Sequence, residues 1–169
     1  RKKLKLSVDA VDRIQKCKIY LDEKVKKSEH PIYGINTGFG SLHNHTIKKE
    51  DLGQLQKNLV MSHACGTGKE IDRLIVKLMI FLKIQSLAYG NSGVQLALVE
   101  RLIGFYNNDV TPIIFEQGSL GASGDLAPLA HMSLPIIGEG ELQIGSDRIT
   151  GAELNKKMGW TALELEAKE

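Results

Sequence analysis

The chain has 169 residues, with 22 Lys and Arg against 20 Asp and Glu, a formal net charge of +2 and 25% charged residues. This balance excludes a basic nucleic-acid arm or an acidic tail, and the 42% apolar content can build a core of ordinary domain size. Cys17 and Cys65 are too few for a disulfide framework and point to a reducing compartment, no apolar run reaches the ~20 residues that span a bilayer, and Arg1-Lys2-Lys3-Leu4 lacks the apolar stretch of a secretory signal.

Residues 7–27 read as an amphipathic helix, with Ser7 as N-cap and Ala10, Ile14, Cys17, Leu21 and Val25 on one stripe. Residues 33–40 read as a glycine-rich loop. A second helix is predicted over about 48–62, with Leu52, Leu55, Leu59 and Val60 inward, ending in a glycine break at 63–68. The third, about 71–88, is apolar nearly all round, as a helix buried in a bundle is. Its main stripe is Ile71, Leu74, Ile75, Leu78, Met79 and Leu82, and Val76, Ile80, Phe81, Ile84 and Leu87 fill much of the rest. A fourth helix covers 94–106, residues 111–124 form a loop, and a short helix covers 126–133 with Pro128 in its first turn. Alternation around Gly145 predicts a small hairpin over 142–150, and helical pattern resumes near Ala152 and again near Leu163. The last residues read as a helix cut short, so the chain is expected to be truncated. One domain over 1–169 is expected.

Glycine is the anomaly in this helical pattern. Ten of the 17 glycines fall in four groups: Gly34/Gly38/Gly40, Gly66/Gly68, Gly90/Gly93 and Gly118/Gly121/Gly124. Such clusters mark unusual backbone or close approach. Common motifs fail to explain them. Gly66-Thr67-Gly68-Lys69 is followed by Glu70, where a phosphate loop needs Ser or Thr. Gly121-Ala122-Ser123-Gly124 has Asp125 where a nucleophile elbow needs Gly. His43 and His45 lack a second ligand cluster, so no metal is expected.

Ala122-Ser123-Gly124 can do chemistry of its own. A glycine amide is the least hindered backbone nucleophile, and small neighbours let it reach the carbonyl carbon two residues back. Ring closure with loss of water gives an imidazolone. Loss of a second water from the serine side chain gives an exocyclic methylene, a strong electrophile. Asp125 stands where a carboxylate could assist proton removal, and the helix that follows would direct its N-terminus at developing negative charge.

The string from Gly118 to His131 resembles the signature of the aromatic amino acid ammonia-lyases, in which Ala-Ser-Gly becomes a methylidene-imidazolone (MIO) group. Residues 33–40, 58–66 and 90–94 resemble the family's tyrosine loop, substrate-side helix end and glycine turn, in the same order. The resemblance implies a mainly α fold, the helical N-terminal domain of the ammonia-lyase/fumarase-like fold with a small β-hairpin. It implies MIO formed autocatalytically from Ala122, Ser123 and Gly124, Asp125 as support for its formation, and Tyr33 as the phenolate base for the β-proton. Ser62-His63 resembles the branch that acts on L-histidine, giving trans-urocanate and ammonia as the first step of histidine degradation. His63 would then hydrogen-bond the substrate imidazole. Either the substrate's amine or its ring attacks the electrophile. Tyrosine or phenylalanine ammonia-lyases, aminomutases on the same scaffold, and a non-catalytic member are the alternatives. Family members form homotetramers with shared sites and continue into a long helical bundle. This piece by itself is therefore expected to be inactive, with its tripeptide uncyclised and exposed apolar surface promoting self-association. No nucleic-acid or membrane partner is expected.

Overall fold

The computed structural model describes residues 2–28, 30–38, 45 and 47–169. His43, and Phe39 and Gly40 of the tyrosine loop, lie outside the described residues. The fold is mainly α. Its helices are α1 (Val8–Lys27), α2 (Leu52–His63), α3 (Arg73–Ala88), α4 (Leu96–Asn107), α5 (Ala127–Ser133) and α6 (Gly151–Met158). Short strands lie between them: β1 (Thr67–Glu70), β2 (Val110–Pro112), β3 (Phe115–Gln117), β4 (Leu120–Gly121), β5 (Gly124–Asp125), β6 (Glu141–Ile144) and β7 (Asp147–Thr150).

Helix α1 starts as its sequence dictates. Ser7 is extended, and its hydroxyl accepts a hydrogen bond from Ala10 N at 3.2 Å. Ala10, Ile14 and Leu21 of the expected stripe are buried. The turn joining α3 to α4 seats directly on this helix. A Cβ at Gly90 would lie 2.6 Å from Arg13 Cβ, and one at Gly93 2.6 Å from Leu21 Cδ2. Both glycines also hold positive φ, so the turn requires them twice over.

Helix α3 corrects the expected face. Val76, Ile80, Ile84 and Leu87 are buried, while Leu74, Ile75, Leu78 and Leu82 are more than half exposed. A helix apolar on both sides carries no periodic signal for which side meets the core, and packing against α1 and α4 decides it. In α2, Leu52 is buried as expected, but its second buried position is Gln56, with Leu55, Leu59 and Val60 only half-buried.

The stretch read as loop over 111–124 takes in most of β2, all of β3 and β4 and the start of β5, and the glycine break at 63–68 runs into β1. β1 pairs antiparallel with β3, Thr67 opposite Gln117 and Glu70 opposite Phe115. Strands this short carry too few residues for alternation to show. The predicted hairpin forms as β6–β7 and gains β2 as a third antiparallel strand, Val110 opposite Ile144. Residues 163–169 are not helical. Leu165 is buried, and the Glu169 carboxylate accepts hydrogen bonds from Gln95 N, Gln95 Nε2 and Glu166 N, which folds the segment over the start of α4.

The core joins these elements through Ile80, Phe105, Ile114, Leu142 and Leu154, all fully buried. Helix α5 packs against both α2 and the 3-10 turn Leu134–Ile137. That contact brings the segment after the tripeptide beside the C-terminal end of α2. No helix of the described residues is long and apolar enough to cross a membrane.

Candidate active site

Ala122 and Ser123 form the turn between β4 and β5, with Gly121 opposite Gly124 and Leu120 opposite Asp125. The whole hairpin is exposed. Gly124 has a φ of +84°, and a Cβ there would meet nothing within 4 Å. Backbone conformation, not crowding, requires glycine at this position, and no neighbouring group crowds that side of its amide.

Asp125 ties the hairpin to the helix that follows. Its Oδ1 accepts hydrogen bonds from Ser119 N and from Ala127 N, each at 3.1 Å. A Cβ at Gly118 would stand 2.1 Å from the same oxygen, so glycine at 118 makes room for the carboxylate. Ala127 is the first residue of α5 and is buried.

The end of α2 supplies the facing wall. His63 Nδ1 lies 2.7 Å from Leu59 O. A carbonyl only accepts, so Nδ1 carries the ring proton and Nε2 of the neutral ring is an acceptor. Ser62 Oγ donates to the same carbonyl at 2.9 Å and lies 3.2 Å from Nδ1, which fixes the ring further. A cavity of 260 Å³ separates the two walls. Ser62, His63 and Cys65 line one side, and Ser119, Leu126, Ala127 and all of residues 121–124 line the other. The structure thus brings His63 and the tripeptide to one space. Tyr33 does not line it. The residue is 62% exposed on a separate turn, which Ile35 N and Asn36 N close by donating to Ile32 O.

Three residues of this region carried no role in the sequence reading. Cys65 places an exposed thiol in the cavity wall. Gly66 donates its N–H to His131 Nε2 at 2.9 Å. Burial lowers the pKa of His131 below its ordinary value of 6.5, which favours the neutral ring that this bond needs. Cys65 and Gly66 stand inside the string that resembled the family's helix end, and His131 closes the signature string. Spacing gave no hint that Gly66 and His131 meet.

The family model described as aromatic amino acid lyase matches residues 1–169. The chain belongs to the aromatic amino acid lyase family. Among aromatic amino acid lyases, a histidine ammonia-lyase of Legionella pneumophila (strain Paris) is 52% identical over 147 residues, 87% of this chain and 29% of that protein. The solved histidine ammonia-lyase of Trypanosoma cruzi superposes with a TM-score of 0.87 at 32% identity, covering 99% of this chain and 32% of that one. The phenylalanine aminomutase of Pantoea agglomerans gives a TM-score of 0.91, also at 32% identity, over 99% of this chain and 32% of its own. The chain therefore spans about a third of the length of these relatives.

The residues present suit the formation of the prosthetic group this family implies. Ring closure needs an unhindered amide, a turn with small side chains and a serine to dehydrate. Gly124, the exposed Ala122-Ser123 turn and the cavity in front of it meet these requirements.

Proposed function

We propose that the full-length protein containing this chain is a histidine ammonia-lyase, which eliminates ammonia from L-histidine to give trans-urocanate. The observation that carries this reading is the shared cavity, with an oriented imidazole on one wall and the Ala122-Ser123-Gly124 turn on the other. Choice of histidine over phenylalanine or tyrosine rests on His63 and on the relative that is 52% identical.

Ala122, Ser123 and Gly124 would form the MIO group, which supplies an electrophile that no ordinary side chain offers. The remaining work falls to the chain's own side chains. His63 accepts the substrate's ring N–H at Nε2, because Leu59 O holds its proton on Nδ1. Asp125 keeps the tripeptide hairpin in register with α5 through Ser119 N and Ala127 N. Tyr33 removes the β-proton as phenolate, and it does so in the assembled homotetramer, whose sites are shared between subunits. A phenol with an ordinary pKa of ~10 needs nearby donors or positive charge for this task. Residues 1–169 form the N-terminal, MIO-bearing domain of a cytoplasmic enzyme, inactive as an isolated piece with an uncyclised tripeptide.

The test is direct. Purified full-length protein is offered L-histidine, L-phenylalanine and L-tyrosine, with urocanate release followed by absorbance and intact mass recorded. Urocanate release with a mass deficit of two waters, both lost in Ser123→Ala, supports the reading. An active enzyme that keeps an unmodified serine overturns it. A two-water deficit in isolated residues 1–169 overturns the uncyclised state.

A further inference from the structure

Helix α5 holds both walls of the cavity, one at each end. At its start, Ala127 N is tied to Asp125 and so to the tripeptide hairpin. One turn later on the same helix, His131 reaches the other wall. Helix α2 ends at His63, Ala64 N returns to Val60 O and Cys65 N to His63 O. Gly66 N is the first amide beyond these, and it donates to His131 Nε2 at 2.9 Å. The backbone comes close to the ring edge at this point. A Cβ at Gly66 would stand 3.0 Å from Nε2 and 3.3 Å from Phe115 Cβ. Phe115 of β3 meets the imidazole edge-on, centroids 5.3 Å apart and planes at 73°. The ring is thus held between β3 and the loop after α2.

We propose that His131 is a positioning residue for substrate binding: by holding Gly66 N, it sets where residues 62–66 stand against the tripeptide turn. His131 does not line the cavity, so it acts through His63 and touches no substrate itself. The distance between the walls is then fixed by one short rigid helix, not by two separately mobile loops. This inference rests on the proposed function, in which the cavity receives L-histidine.

The test uses the full-length enzyme. His131→Phe keeps the ring shape and the Phe115 contact but accepts no hydrogen bond, and His131→Gln restores an acceptor. In a Ser123→Ala background, which blocks turnover, calorimetry reads the Kd for L-histidine directly. Loss of one hydrogen bond predicts about fivefold to tenfold weaker binding for His131→Phe, with His131→Gln back to within about twofold. With Ser123 intact, both variants keep the two-water mass deficit and kcat, and KM carries the loss. A merely structural role would lower the active fraction and leave KM alone. Unchanged binding in His131→Phe, or a Gln variant as weak as the Phe variant, overturns the proposal. Should His131→Phe be insoluble, His131→Leu removes the acceptor with a smaller apolar side chain. A wild-type enzyme that neither loses two waters nor releases urocanate removes the functional reading and this inference together. A working wild type with indifferent variants removes only this one.

Discussion

Replacing Gly118 by alanine tests whether the Asp125 tether is what presents the tripeptide. The new Cβ would stand 2.1 Å from Asp125 Oδ1, 2.4 Å from Oδ2 and 2.5 Å from Cγ. No rotation of a methyl group relieves such an overlap, so the carboxylate must leave. With it go the bonds to Ser119 N and Ala127 N. Each is charge-assisted, but the site is exposed, so about 1 kcal/mol apiece is appropriate. Some 2 kcal/mol corresponds to about a thirtyfold loss in the population of correctly placed hairpin. In the full-length enzyme, Gly118→Ala should therefore lower kcat/KM for L-histidine by about thirtyfold, with part of the protein retaining the two waters by intact mass. Asp125→Ala should reproduce the loss without any clash. The double variant should be no worse than either single one, because both remove the same two bonds. A Gly118→Ala enzyme as active and as fully dehydrated as wild type would refute the reasoning, and additive losses in the double variant would show that the clash acts elsewhere.

Other outcomes follow from the same geometry. His131 is kept neutral by burial, so its folded pKa lies below the unfolded 6.5 and the unfolded chain binds more protons as pH falls past that value. Stability should thus be full above pH 6.5 and decline below it, and urea midpoints of wild type and His131→Gln should differ in that window. A later decline belongs to Glu141, whose pKa is held below 4.5 by hydrogen bonds from Arg148, so that its contribution is lost only as pH falls beneath that value. Phe105→Ala should cost about 3–5 kcal/mol in denaturant unfolding, since the ring is fully buried and lies 6.0 Å from that of Trp160. Isolated residues 1–169 should self-associate at high concentration, and Leu78→Asp on the exposed face of α3 should reduce this by light scattering. A monomer at every concentration would count against that face as the cause.

Sequence patterning made the helices legible wherever one side was polar. The Ser7 cap and the Ala10–Ile14–Leu21 stripe of α1 are determined within one segment, and so is the Gly145 hairpin. Helix α3 was legible as a helix but not in its orientation, because residues on both faces are apolar and packing against other elements, chiefly α4 and α1, chooses between them. The strands β1 and β3 were hidden for a different reason. Thr67–Glu70 is polar throughout and entirely exposed, so its pairing with Phe115–Gln117 shows no hydrophobic alternation. The resemblance singled out the tripeptide, His63 and Asp125 as strings, with no statement of which strings meet.

That gap explains why the glycines were visible before their purpose was. A Cβ would collide at Gly118 and Gly90 and would be crowded at Gly66, but each neighbour is distant in sequence or across a turn: Asp125, Arg13 and His131. A cluster of glycines therefore reports that something comes close without naming it. Gly124 differs from these three, since it is demanded by a positive φ in open space. The distinction is chemical as well as geometric. Gly66 and Gly118, which admit His131 and Asp125, belong to the frame around the cavity, while Gly124, with nothing beside it, leaves its amide open for the proposed ring closure. Substituting Gly66 or Gly118 should then disturb placement through a named partner, and removing that partner as well should add no further loss. Substituting Gly124 should disturb the reacting backbone itself, and no change at a neighbouring side chain should restore it.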